Sequence, residues 1–256
     1  MESPYPQQKS AIITGAGSPR GIGRDLAERL AAKGWSLGLI DRDDELMSQL
    51  VADLVGRYGV KAVAKKTDIS SEEDVAKASA LFETELPPVV AVVNIAGISD
   101  PTPFTQTSLE RWERVLKINA TGTFLVTKQF LPGMIERGVG RIVSLSSTAA
   151  QSGGGTFSAA AYAASKAAIE GMTRGLGLEV AKTGVTVNAI APAIIDTDIM
   201  GGTITEDRMD YFTSRLPVGR LGRVSEVSAL IEFLIGPEAG YITGTTYNIN
   251  GGARIG

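Results

Sequence analysis

The chain has 256 residues, 43% of them hydrophobic and 21% charged, and its 25 basic and 28 acidic side chains leave a formal net charge of −3. That length suits one well-buried α/β domain over 1–256, and the charge gives no electrostatic footprint for nucleic acid or an anionic membrane. The chain contains neither His nor Cys, which excludes disulfide frameworks, thiol nucleophiles, Ser-His-Asp hydrolysis and His- or Cys-based metal centres, and leaves acid/base work to Tyr, Lys, Asp or Glu.

Met1–Ser10 shows no apolar run behind a basic stretch, and the longest apolar stretch, Val89 to Ile98, is far short of the ~20 residues of a membrane span. A soluble, cytoplasmic protein is expected. The first strand, Ala11–Thr14, runs into Thr14-Gly15-Ala16-Gly17-Ser18-Pro19-Arg20-Gly21-Ile22-Gly23, and a helix follows with Ile22, Leu26 and Leu30 on one face. Glycine permits φ > 0 and close backbone approach, and the helix N-terminus presents unpaired N–H groups, so this turn suits a dinucleotide pyrophosphate. A second strand, Leu37–Ile40, ends in Asp41-Arg42. A carboxylate about 20 residues after the glycine turn hydrogen-bonds ribose hydroxyls and repels a 2′-phosphate, which argues for NAD. Arg20 and Arg42 argue the other way, since each is able to pair with the 2′-phosphate of NADP.

Helical spacing continues over Asp44–Tyr58, ending near Gly59, and over Glu72–Leu86, with Ser70 or Ser71 as N-cap and Pro87-Pro88 as its stop. Further strands are expected at Ala62–Ala64, Val89–Asn94, Arg141–Leu145 and Val185–Ile190, and longer helices at about Ser108–Arg137 and Ala159–Thr183. Short apolar runs separated by helices indicate a parallel sheet covered on both faces, doubly wound, with its ligand crevice at the carboxyl ends of the strands. The fifth of these strands ends in Ser146-Ser147, and the helix after it carries Tyr162-Ala163-Ala164-Ser165-Lys166. Four residues apart, the Tyr hydroxyl and the Lys ammonium share a helix face, and a nearby cation lowers a phenol pKa from ~10 toward the range of a working acid/base.

Together these motifs resemble the short-chain dehydrogenase/reductase family over essentially the whole chain. The matches are Gly15…Gly21-Ile22-Gly23, Asp68-Ile69, Asn94-Ile95-Ala96-Gly97, Leu116-Lys117-Ile118-Asn119, Ser147 with Tyr162 and Lys166, Asn188-Ala189-Ile190-Ala191-Pro192 followed by Thr197, and Ile242-Thr243-Gly244 with Asn250-Gly251-Gly252. The resemblance implies a single-domain, Rossmann-like doubly wound parallel sheet and hydride transfer between a nicotinamide cofactor and a secondary alcohol or ketone, with no metal. It implies that Tyr162 transfers the proton, Lys166 lowers its pKa and binds the nicotinamide ribose, Ser147 bonds the reacting oxygen, and Asn119 holds a water that links Lys166 to solvent. Gly15, Arg20, Gly21, Ile22, Gly23, Asp41, Asp68, Ile69, Asn94, Ala96, Gly97, Tyr162, Lys166, Ile195 and Thr197 are expected at the cofactor, and the long helices are expected to build a homotetramer.

The sequence departs from the family pattern at several points. The glycine turn is two residues longer than usual, with Pro19-Arg20 as the extra pair and Gly15 favoured over Gly17 at phosphate. Ile95 stands where a second Asn is usual, Ala193 where Gly is common, and Asn250 where Asp is usual. The Ser147-to-Tyr162 spacing is also longer than common, and Ser146 is the weaker candidate for the Ser role. Specificity is expected in Thr148–Ala161, where Gln151, Ser152 and Thr156 suit a polyol and Phe157 suits a ring. It is also expected in a lid at about 193–220 that holds Met200, Gly201-Gly202, Met209, Tyr211 and Phe212. Three functions fit: an NAD-dependent dehydrogenase of a sugar, polyol or cyclic alcohol; an NADP-dependent reductase of 3-oxoacyl-carrier-protein type; and a non-catalytic nucleotide sensor.

Overall fold

Every strand of the sheet runs parallel to its neighbours, in the order β3-β2-β1-β4-β5-β6-β7. The strands are β1 (Ser10–Thr14), β2 (Ser36–Asp41), β3 (Ala62–Lys66), β4 (Val89–Asn94), β5 (Gly140–Leu145), β6 (Val185–Pro192) and β7 (Thr246–Ile249). This is a computed structural model, and it describes residues 5–155, 158–200 and 206–255. Strand order reverses between β1 and β4, the switch point at which a doubly wound sheet opens a crevice beyond its carboxyl ends. Alternation along the strands sends neighbouring residues to opposite faces. Ile13, Leu37 and Leu39 pack on α1 (Ile22–Ala31), α2 (Asp44–Tyr58) and α9 (Val224–Ile235). Ile12, Ile40, Val92 and Ile142 pack on α3 (Glu72–Glu85) and α5 (Gly122–Arg137).

The periodicity places six strands within two residues of their observed bounds, and α2 ends as expected on Gly59 in the left-handed conformation. Ser71 caps α3, its side chain accepting from the Asp74 N–H. The stretch expected as one helix over Ser108–Arg137 is α4 (Leu109–Leu116) joined to α5 through a π-helical turn at Lys117–Thr121. After β5 come a single turn, α6 (Ala149–Ser152), and the 20-residue α7 (Ala160–Glu179); α8 (Glu206–Thr213) lies within the expected lid. β7 and α9, like α6 and α8, were not expected from periodicity. β7 is four residues, Thr-Tyr-Asn-Ile, on the edge of the sheet, too short and too polar to show alternation. α9 does carry the helical spacing, in buried Val227, Ile231, Leu234 and Ile235. Among the described residues no helix is long and apolar enough to cross a membrane.

Candidate active site

A cleft of about 1080 Å³ lies along the carboxyl ends of the strands, from Asp41 and Asp68 at one end, past Gly15 and Thr197, to Ser147, Tyr162 and Phe212 at the other. Its floor is the glycine turn. Gly15 has φ +75°, and a Cβ there would lie 2.9 Å from the Ala96 nitrogen, so the backbones after β1 and β4 approach as closely as glycine allows. The Thr14 hydroxyl holds that approach by accepting from the N–H groups of both Ile95 and Ala96. Gly21 and Ile22 also line the cleft. Gly23 does not; a Cβ there would lie 2.3 Å from the Gly15 carbonyl oxygen, so its role is to let α1 close on the turn. Gly17 is set by Asp41, to whose carboxylate it donates at 2.8 Å, which supports Gly15 as the glycine nearest the phosphates.

Asp41 sits at the end of β2 with one oxygen on the Gly17 N–H and the other on the N–H groups of Arg42 (2.7 Å) and Asp43 (3.3 Å). It is not the cap of α2; that is Asp43, which accepts from Leu46. Backbone donors thus fix Asp41 on the cleft wall beside Arg42. Asp68 accepts from both the N–H and the hydroxyl of Ser70, and these bonds hold its carboxyl below the usual range, with smaller contributions from Arg42 and Lys117. Ile69 packs beneath it, 7% exposed.

Besides Gly23, two residues expected at the cofactor, Asn94 and Arg20, do not line the cleft. Asn94 is buried behind the wall and donates to the Thr127 and Ser144 hydroxyls, which ties β4 to α5 and β5. Arg20 is ion-paired with Asp196 and lies 3.6 Å from Asp198, so reading a 2′-phosphate would require it to leave two carboxylates that already hold it. Ile195 and Thr197, both nearly buried, do line the cleft.

At the other end, β5 delivers Ser147 to the cleft wall opposite Tyr162 of α7, and the Tyr hydroxyl is hydrogen-bonded to Ser147. Ser146 is turned inward to the Lys166 carbonyl and the Glu170 carboxylate, so Ser147 is the hydroxyl at the reacting face. The expected low Tyr162 pKa is not seen. Burial raises it, the Ser147 bond partly offsets this, and Lys166 makes no resolved contribution. The ammonium is 5.8 Å from the Tyr ring centre and donates to the Leu145 carbonyl at 2.6 Å, while burial pulls its own pKa down to about 8. Asn119 lies in the π-helical turn and is fully buried. Its amide accepts from the Ile98 N–H and donates to the Ile98 carbonyl and the Ser165 hydroxyl. A Cβ on Gly97 would lie 3.0 Å from the Asn119 oxygen and 3.5 Å from Lys166 Nζ, so the two groups converge on that glycine, Asn119 from behind the wall and Lys166 on it.

The loop after Ser147 contributes Thr148, Gly154, Gly155 and Ser158 to the cleft. Gln151 and Ser152 do not face it: Gln151 donates to Glu170, and Ser152 donates back to the Thr148 carbonyl. Thr156, Phe157 and Gly201-Gly202 lie outside the described residues, as does the Met200 side chain. From the expected lid, Tyr211, buried Phe212, Arg215 and Leu216 reach the substrate end. The Arg215 guanidinium stacks 3.6 Å over the Tyr211 ring. No periodic signal marks Arg215, because its place on the cleft wall depends on contacts between distant segments.

The family model described as enoyl-(acyl carrier protein) reductase matches residues 15–254. The chain is 37% identical to the 3-oxoacyl-[acyl-carrier-protein] reductase FabG of Aquifex aeolicus, covering 96% of this chain and 97% of that one. It is 34% identical to the 2-dehydro-3-deoxy-L-rhamnonate dehydrogenase (NAD(+)) of a Sphingomonas species, over 95% and 94%. Among solved structures, a tryptophan variant of the actinorhodin polyketide ketoreductase with NADPH superposes with a TM-score of 0.89 at 36% identity, covering 96% and 97%. With the glycine turn, the buried Asn and the Ser-Tyr-Lys face in the places described above, the chain belongs to the short-chain dehydrogenase/reductase family of oxidoreductases.

Proposed function

We propose that this protein is an NAD-preferring dehydrogenase that interconverts a secondary alcohol and its ketone, with sugars, polyols and cyclic alcohols as the substrate class. The observation that carries the reading is one continuous cleft with the Ser147–Tyr162 pair at one end and the Asp41 carboxylate at the other. A glycine-floored turn that no Cβ fits, followed by a helix N-terminus, suits a dinucleotide diphosphate. A bound nicotinamide dinucleotide supplies the hydride acceptor or donor; the chain supplies everything else. Asp41, Asp68 and Ile69 would hold the adenosine end, Gly15, Gly21 and Ile22 the diphosphate, and Gly97, Lys166, Ile195 and Thr197 the nicotinamide half. Ser147 orients the reacting oxygen, Tyr162 gives or takes its proton, and Phe212 and Leu216 keep water from that end. Asn119 acts from behind, holding the Ile98 backbone and the Ser165 hydroxyl in place.

Parallel titrations with NADH and NADPH test the cofactor. A preference for NADH of tenfold or more, about 1.4 kcal/mol, is expected. Asp41→Asn, which keeps an acceptor for the Gly17 N–H and removes the charge, should cut that preference about tenfold by tightening NADPH. A wild-type preference for NADPH overturns the NAD assignment and favours a second reading, a 3-oxoacyl reductase, supported by Arg42 on the cleft wall and by the identity to the Aquifex enzyme. Substrate screens should pair neutral alcohols with carboxylate-bearing ones, because among the described residues Arg215 is a cation on the cleft wall beside Tyr211, Phe212 and Leu216.

We also propose a homotetramer built on α5 and α7. Phe124 is 47% exposed beside a groove lined by Ala120, Thr121, Ala168, Ile169 and Met172, and small residues permit close helix contact. A native mass of four chains is expected in solution; a monomer mass at all concentrations overturns it.

A further inference from the structure

The lengthened glycine turn has a partner across the cleft. The Ser18 hydroxyl donates to Asp198 at 2.8 Å, the Arg20 N–H donates to the same oxygen at 3.2 Å, and the Arg20 guanidinium pairs with Asp196 and lies 3.6 Å from Asp198. These carboxylates flank Thr197, which is 7% exposed and lines the cleft. Their segment is itself pinned to the far end of the lid. Ile195 forms a one-rung parallel bridge with Gly222, the Asp196 N–H donates to the Gly222 carbonyl at 3.0 Å, and the Gly222 N–H donates to Ile194 at 3.0 Å. A Cβ on Gly222 would lie 2.4 Å from Ile195 Cδ1, so the Ile195 side chain is packed directly on this glycine. Both feet of the lid therefore meet at one point, and the extra residues of the turn fasten that point to the floor of the cleft.

We propose that Arg20 is a positioning residue for the cofactor. It fastens the two feet of the lid, holding Ile195 and Thr197 in the cleft wall, and it offsets the Asp198 carboxylate on that wall and its neighbour Asp196, whose combined negative charge would otherwise oppose a bound diphosphate. The second half rests on the dinucleotide reading given above. Arg20 keeps about a third of its side-chain surface exposed and Asp196 about half, so the pair adds little to global stability and its loss should leave the protein folded. Locally the charge balance is lopsided: without Arg20 the two carboxylates stand uncompensated at the diphosphate-binding turn, where like charge is repelled.

The test uses the full chain with Arg20→Ala alone and with Asp196→Asn and Asp198→Asn added. Arg20→Ala should weaken NADH and NADPH alike, by about tenfold, and leave AMP competition, which involves no diphosphate, within about twofold. The two carboxamides should recover most of the loss. In the cofactor-free protein, backbone amide exchange at Asp196 and Gly222 should quicken in Arg20→Ala and remain quick in the triple variant, since neither restores the fastening. A loss confined to NADPH would make Arg20 a 2′-phosphate reader and overturn the proposal. So would unchanged affinity, no recovery by the carboxamides, or unchanged exchange. If the wild-type chain binds neither dinucleotide, the functional reading falls and the charge-offsetting half falls with it, while the exchange measurement still decides the fastening.

Discussion

Tyr162→Phe should lose about a thousandfold in turnover while binding NADH within about twofold of wild type, the expected contribution of one positioned acid/base. Among the described residues, the groups nearest Tyr162 are poorly suited to take over. The chain has no His or Cys, Ser147 is a neutral hydroxyl, and the Lys166 ammonium is directed at the Leu145 carbonyl. The variant gives up one hydrogen bond to Ser147 and keeps the ring, a cost of about 1 kcal/mol that leaves the fold intact. Because burial raises the Tyr162 pKa, the group is a phenol at neutral pH, ready to donate to a ketone. Alcohol oxidation needs the phenolate, so its rate should climb through the alkaline range while ketone reduction stays level until the phenol ionises. Steady-state profiles in both directions check this. Unchanged turnover in Tyr162→Phe would remove Tyr162 from the mechanism, and a wild-type chain that binds NADH but turns over no alcohol or ketone would leave the sensor function instead.

The sheet was legible in the sequence because its inner strands are continuous apolar runs, and such runs have few alternatives to a covered parallel sheet. Strand ends and helix spacing put Asp41, Ser147, Tyr162 and Lys166 at the crevice end of the sheet, and the family resemblance singled out Ser147, Tyr162 and Lys166 there. What the sequence hid depends on contacts between distant segments. Nothing local in Asn94 says that it bonds Thr127 and Ser144 behind the wall rather than facing the cleft. Arg20 looked free to meet a phosphate because its partners lie more than 170 positions away. Likewise the Tyr162–Lys166 spacing predicts a shared face, and the face is shared, but burial outweighs the Coulomb effect on the phenol.

Lys166→Met should abolish efficient turnover and at the same time make the cofactor-free protein more stable at pH 7, by about 2 kcal/mol. Lys166 is 4% exposed, and burial alone depresses its pKa from 10.5 to about 8. The unfolded chain therefore binds the proton more tightly than the folded one. Below about pH 8 the folded protein carries the whole cost of an enclosed cation, on the order of 3 kcal/mol; between about pH 8 and 10.5 that cost fades as the folded-state amine goes neutral, and stability rises with pH. Methionine fills similar space without the charge, but it forfeits the bond to the Leu145 carbonyl, which returns about 1 kcal/mol to the unfolded side. Melting curves at matched protein concentration should show Lys166→Met melting about 4–8 °C above wild type at pH 7 and close to it at pH 10. A variant less stable at pH 7, or one whose advantage persists at pH 10, would mean that Lys166 is not held as a costly buried cation. The stability cost and the chemistry have one origin. An ammonium almost wholly buried beside Gly97 at the cleft wall, with a single backbone acceptor, is poorly solvated before anything binds, and it gains most when a ribose hydroxyl or a phenolate arrives to share its charge.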